Sequence, residues 1–182
     1  SGAKVTLIYG PGIEKPPKGA KVIKVFTSKE MFNVVKKEMK TEFDIVIMTA
    51  AVSDYTPENT SKKKIKSTKN KIKISLKRAP KIIDYVKKYQ KNVFLVGFKA
   101  ETNLSKSELI RISKEKMNES SADMIVANDI GSNRYRKNPE SNEVLIIDSY
   151  KVISSGWMNK EKIAKFIRKE VELRFKTNHE KS

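Results

Sequence analysis

Two rhythms of apolar residues run along this chain. Short unbroken runs, Ile45-Val46-Ile47-Met48, Val93-Phe94-Leu95-Val96-Gly97-Phe98 and Met124-Ile125-Val126-Ala127, lack the polar alternation of a half-exposed strand. Such runs suit strands covered on both faces, as in a parallel sheet whose crossovers are helical. Between them the spacing changes to three and four. Ser28 caps a helix with Met31, Val34, Val35 and Met39 on one stripe and Glu30 in its first turn. Pro80 sits in the first turn of a helix carrying Ile82, Ile83 and Val86, where a missing N–H costs nothing. Ser105 to Asn118 forms a third helix, its inward stripe being Leu109, Ile112 and Lys116, and Asn159 to Phe175 a fourth, with Ile163, Phe166, Ile167, Val171 and Arg174 aligned.

The remaining stretches read as strands and turns. Ala3 to Tyr9 is a strand stopped by Gly10-Pro11-Gly12, and Lys21 to Phe26 is a second, reached through the proline-rich loop Ile13 to Ala20. Beyond Pro57, Ile65, Ile72, Ile74 and Leu76 alternate with lysines and serine around Thr68-Lys69-Asn70-Lys71, which predicts a projecting β-hairpin. Val144 to Ile147 and Lys151 to Ile153 predict a hairpin across Asp148-Ser149-Tyr150, and Asn178 to Ser182 a disordered polar end. The expectation is an α/β fold: a Rossmann-like open, mainly parallel sheet with helices on both faces, one domain over residues 1–176 and a tail over 177–182.

Charge narrows the function. The 39 Lys+Arg against 21 Asp+Glu leave a formal +18, which favours an anionic partner, either a phosphate-bearing ligand or nucleic acid. A lysine-rich solvated surface of the thermophile kind would look the same. Sparse arginine and aromatic residues argue against nucleic acid. With no cysteine, disulfides, thiolate metal sites and cysteine nucleophiles are excluded. The single histidine, His179, sits in the polar end, so zinc enzymes lack their ligands and histidine triads their base. No apolar run approaches the ~20 residues of a membrane span and no leader opens the chain, so a cytoplasmic protein without a membrane partner is expected.

Candidate chemistry gathers where the three buried strands end, because ligands of open α/β sheets bind beyond the carboxyl ends of the strands. The first run opens onto Thr49-Ala50-Ala51-Val52-Ser53-Asp54-Tyr55, where the small Ala50 and Ala51 let a flat ring lie close to backbone, and then onto Lys62-Lys63-Lys64-Ile65-Lys66. The second ends in Gly97-Phe98-Lys99-Ala100-Glu101-Thr102 and the third in Val126-Ala127-Asn128-Asp129. Alone, each has an ordinary reading. Phe98 is a core residue, Asp54 a turn residue, Lys63, Lys64 and Lys66 a solvated face, and Lys116 a lysine snorkelling past the core edge.

Together with Ala79-Pro80-Lys81-Ile82-Ile83, in this order and spacing, these strings resemble phosphopantothenate–cysteine ligase, the synthetase half of the bifunctional coenzyme A biosynthesis protein, over residues 3 to about 175. The resemblance implies a two-step ligation. The carboxylate of phosphopantothenate attacks the α-phosphate of a nucleoside triphosphate, giving an acyl-nucleotide and pyrophosphate, and the amine of cysteine displaces the nucleotide monophosphate. It implies Met48, Thr49 and Ala50 reading the base through backbone groups, Asp54 at a ribose hydroxyl or the metal shell, and Pro80, Lys81, Ile82 and Ile83 as a second nucleotide segment. It further implies Phe98 beside the base, Lys116 on the nucleotide, Lys64 as the catalytic mobile-loop lysine on the triphosphate, and Ala51 and Asn128 toward the substrate. Mg²⁺ would share the phosphate charge, with its protein ligands unspecified.

The Phe98-Lys99 and Glu101-Thr102 strings resemble eukaryal, ATP-using members, whereas Asn128-Asp129 resembles the archaeal and bacterial ones, and CTP is the expected co-substrate. Ser120 stands where many relatives carry a second lysine, so one phosphate contact is either missing or supplied by another lysine such as Lys114. Relatives also have an upstream strand, glycine-rich turn and asparagine-containing loop that this chain does not match, so reduced ligase activity is expected of it alone. A homodimer and a fused or associated decarboxylase half are implied, with no flavin in this half. Two other readings are a basic nucleic-acid-binding module using Lys62 to Lys73, and an inactive relative serving as a dimer partner.

Overall fold

The computed structural model describes residues 2–59, 61, 63, 64 and 70–179. In chain order its elements are β1 (Thr6–Tyr9), β2 (Lys21–Lys24), α1 (Ser28–Glu38), β3 (Ile45–Met48), β4 (Tyr55–Pro57), β5 (Leu76–Arg78), α2 (Ile83–Tyr89) and β6 (Phe94–Glu101). There follow α3 (Lys106–Ser120), β7 (Met124–Asp129), α4 (Asn133–Lys137), β8 (Ser141–Asn142), β9 (Leu145–Ile147), β10 (Val152–Ser154), β11 (Met158–Asn159) and α5 (Lys160–His179). The chain divides into two compact units, Ser1–Lys37 with Ala51–Ile82, and Glu38–Ala50 with Ile83–Ser182.

The second unit holds a five-stranded sheet in the order β10-β9-β7-β6-β3. The three unbroken apolar runs are its parallel half: Met48 lies opposite Gly97, and Gly97 opposite Ile125. β9 then joins β7 antiparallel and β10 joins β9 antiparallel, so the sheet is mixed. Successive side chains of a strand point to opposite faces. On one face Phe94, Val96, Met124, Val126, Val144 and Ile146 pack with Ile163 and Val171 of α5, and Phe94 meets Phe175 edge to face at 6.3 Å. The predicted α5 stripe is therefore the cover of that face. On the other face α2 and α3 lie against β6 and β7. Gly97 marks how close they come: a Cβ there would sit 3.0 Å from Ile83 Cδ1 and 2.7 Å from Ile125 Cδ1.

Polar clasps fix the unit's edges. Asp123 accepts from Leu95 N–H at 2.7 Å and pairs with Lys87 at 2.8 Å, tying α2 to the loop before β7. Gln90 accepts from Phe43 N–H and donates to the carbonyls of Met39 and Thr41, holding the entry to β3. Arg174 reaches from α5 to Asp148 at 2.6 Å and to Glu170 at 2.5 Å, all three side chains being buried. Burial would push the Asp148 carboxyl up, but the N–H groups of Lys151 and Tyr150 and the Arg174 guanidinium outweigh it and hold Asp148 below the usual carboxylate range.

In the first unit β1 and β2 form a parallel pair, Thr6 opposite Lys21 through Tyr9 opposite Lys24. These two strands do not join the five-stranded sheet: β1 and β2 pair only with each other among the described residues. α1 begins with Thr27 as its cap, not Ser28, because Thr27 Oγ1 accepts from Glu30 N–H, while the Glu30 carboxylate reaches one residue past the cap to accept from Phe26 N–H.

β4 and β5 pair antiparallel, Tyr55 opposite Arg78 and Pro57 opposite Leu76. The predicted hairpin is corrected accordingly: its first strand is Tyr55–Pro57, and Ile72 and Ile74 lie outside the paired strand as exposed residues. Ile65, Lys66, Thr68 and Lys69 lie outside the described residues. Three further boundaries differ. α2 starts at Ile83, so Pro80 precedes the helix instead of lying in its first turn. α5 continues through His179 into the stretch expected to be disordered. The inward face of α3 is Leu109, Ser113, Met117 and Ser120, not Leu109, Ile112 and Lys116. α4 and the β8–β11 pair, Asn142 opposite Met158, were not foreseen.

Candidate functional site

The second unit brings together the carboxyl ends of β3, β6 and β7. Parallel register sets them in step: Met48 beside Gly97, Phe98 beside Val126, Ala100 beside Asn128. Met48 is half-buried and Thr49 and Ala50 are exposed, so backbone beyond β3 is open to a ligand. Phe98 is half-buried and packs against the core on the α5 face, one residue after the glycine that faces α2. Asn128 is half-buried at the end of β7.

The loops leaving these strands are braced. Asp129 Oδ1 accepts from Asn103 N–H at 2.9 Å and from Gly131 N–H at 2.7 Å, locking the turn after β6 to the turn after β7. The approach is so close that a Cβ on Gly131 would lie 2.6 Å from the Asn103 nitrogen. Asn103 itself has φ 57°, a left-handed conformation that asparagine tolerates. Lys99 and Glu101, two apart on a strand and so on one side of it, pair at 2.6 Å. That pair neutralises Lys99.

Ile83 opens α2, and beside it stand Asp84 and Lys116. Lys116 Nζ lies 3.7 Å from Asp84 Oδ1, with the two side chains 20% and 32% exposed. Lys116 is held on α3 by a backbone whose carbonyl accepts from Ser120 Oγ at 2.7 Å. The serine standing where a second lysine was expected is buried and turned back onto its own helix. Asp84 escaped the sequence reading because an acid in the first turn of a helix is accounted for by the helix dipole.

The first unit brings together another group. Asp54 O accepts from Ala79 N–H at 2.8 Å, one step beyond the β4–β5 pair, so Asp54 and the Pro80-Lys81-Ile82 segment are neighbours. Asp54, Ala51, Pro80 and Lys81 are exposed, whereas Ile82 is buried and presents no side chain to solvent. Lys64 is exposed. Among the described residues no group of three or more acidic or histidine side chains is placed to hold a metal. No helix among them is long and apolar enough to cross a membrane.

A family model, the DNA/pantothenate metabolism flavoprotein C-terminal domain, matches residues 1–174. The coenzyme A biosynthesis bifunctional protein CoaBC of Thermococcus kodakarensis is 37% identical over 172 residues, 94% of this chain and 41% of that protein. Its namesake from Methanocaldococcus jannaschii is 36% identical over 168 residues, 92% of this chain and 40% of that protein. The chain thus spans about two fifths of the curated relatives it matches. Among solved structures, the C-terminal domain of a coenzyme A biosynthesis bifunctional protein CoaBC superposes with TM-score 0.76 at 27% identity, covering 97% of this chain and 76% of that one.

Proposed function

The chain belongs to the DNA/pantothenate metabolism flavoprotein C-terminal domain family, and we propose on that footing that it is a phosphopantothenate–cysteine ligase domain, active in coenzyme A biosynthesis. The observation that carries the proposal is the likeness of nearly the whole chain to the bifunctional coenzyme A biosynthesis proteins. The reaction runs in two balanced steps. A carboxylate oxygen of phosphopantothenate bonds to the α-phosphorus of CTP and pyrophosphate leaves. The amine of cysteine then attacks the acyl carbon, losing a proton as CMP leaves, to form the amide.

Such chemistry asks for positioning and charge stabilisation more than for a protein base, which suits a chain without cysteine. Backbone groups of Met48, Thr49 and Ala50 take the base edge, with Phe98 at its side. Asp54 and the Pro80–Ile83 segment hold the ribose and phosphates, Lys116 and Lys64 meet the phosphates, and Ala51 and Asn128 meet the acyl substrate. Mg²⁺ would arrive on the triphosphate. The ion would be held by phosphates, water and a single carboxylate, for which exposed Asp54 is the candidate. The exposed Tyr55, Ile72, Ile74 and Leu76 suit a homodimer contact, and the cytoplasm is the proposed location.

Calorimetric titration with CTP, ATP, GTP and UTP in Mg²⁺, at two salt concentrations and with Lys64→Ala, tests the reading. Selective CTP binding that Lys64→Ala weakens about tenfold supports it, and ATP preference moves the co-substrate. Base-indifferent binding that falls steeply with salt and extends to any polyanion would instead favour a nucleic-acid module.

A further inference from the structure

Asp84 has an oxygen with nowhere else to turn. Its Oδ1 is sealed from solvent and has no hydrogen-bond donor among the described residues. Its one charge partner among them is the Lys116 ammonium at 3.7 Å, on the neighbouring helix. A buried carboxylate oxygen left uncompensated is costly, so the ammonium is drawn to stay beside it. The separation is nonetheless longer than a hydrogen bond, and no acceptor for Lys116 Nζ stands within hydrogen-bond range among the described residues. A lysine ammonium carries three donors. Here they are unspent.

We propose that Asp84 is a positioning residue that holds the Lys116 ammonium in place, with its donors free, for an anionic oxygen of the nucleotide. The proposal rests on the reading of Lys116 as a nucleotide contact, and it deepens that reading by giving the contact its orientation. Pre-ordering removes the entropy a long side chain otherwise loses when it first meets a ligand. Asp84 acts only through Lys116. Its carboxylate repels phosphate, so it helps binding solely by what it does to the lysine.

The test compares Asp84→Asn, Asp84→Glu, Lys116→Met and the Asp84→Asn/Lys116→Met pair. Nitrogen-15 spectra of the lysine ammonium groups should show a restricted Lys116 Nζ that becomes mobile in Asp84→Asn and is restored in Asp84→Glu, with no nucleotide present. Titration with Mg·CTP should show about fivefold weaker binding for Asp84→Asn, recovery in Asp84→Glu, and no further loss when Asp84→Asn is added to Lys116→Met. An equally ordered ammonium in Asp84→Asn overturns the proposal, as does unchanged or tighter Mg·CTP binding, or an Asp84→Asn effect that persists without Lys116. If Lys116 ordering depends on Asp84 but Lys116→Met binds Mg·CTP as the wild type does, the nucleotide role of Lys116 fails while the positioning stands.

Discussion

Replacing Arg174 by methionine tests the account of how α5 is secured. The guanidinium sits 2.6 Å from Asp148 and 2.5 Å from Glu170, with the three side chains 9%, 8% and 11% exposed. Methionine keeps the stem's bulk and removes the charge, leaving two buried carboxylates. Breaking a buried pair in this way costs about 3–5 kcal/mol. Asp148 retains the N–H groups of Tyr150 and Lys151 in the variant.

The Arg174 guanidinium is one of the groups that hold Asp148 below the usual carboxylate range, and the stability this gives is fully present above the unfolded pKa and is lost as pH falls through the folded one. The deficit of Arg174→Met should therefore shrink as pH falls from 7 to 3. Urea unfolding followed by the single tryptophan, Trp157, at both pH values measures this. Glu170→Gln added to Arg174→Met should recover most of the loss at pH 7. A deficit below ~1 kcal/mol at pH 7, set against the 3–5 kcal/mol expected of a broken buried pair, or one that does not narrow at pH 3, would refute the reasoning.

Two further changes probe the second unit. Gly97→Ala places a methyl 2.7 Å from Ile125 Cδ1 and 3.0 Å from Ile83 Cδ1, and should cost about 1–3 kcal/mol in urea unfolding, part of which Ile125→Val returns by removing the nearer methyl. Ser105 Oγ accepts from Glu108 N–H at the start of α3, so Ser105→Ala should cost about 1 kcal/mol, with little change when threonine replaces it.

Sequence legibility followed the range of the interactions. The strands β3, β6 and β7 and the stripe of α5 were readable because burial on both faces, or on one helical face, writes itself into consecutive residues. Pairing was less so. Thr6–Tyr9 looks like a strand, yet nothing local says that its partner is Lys21–Lys24 or that the sheet of β3 lies in the other unit. Two-residue strands such as β8 and β11 carry no period at all, and α4, Asn133–Lys137, has no buried residue to reveal it.

At the candidate site the strand ends were legible, since small and polar residues interrupt apolar runs there. Lys116 was noticed for being out of place, but the inward stripe drawn through it was off by one position: Ser113, fully buried, takes the core-facing place that an apolar count gives to Ile112. The Asp54–Ala79 contact was invisible because it needs β4 to find β5 with eighteen residues, Glu58 to Ser75, between them in the sequence.

The cover of the β6–β7–β9 face has a consequence in time. The residues it shelters, Phe94 through Ile146, are synthesised before α5, which begins only at Lys160. Until that helix has left the ribosome, a growing chain holds a complete apolar face with nothing to close it. Stalling or premature termination between Ile147 and Lys160 would release a fragment suited to capture by chaperones, and the guanidinium of Arg174, arriving near the end of α5, makes closure a late event.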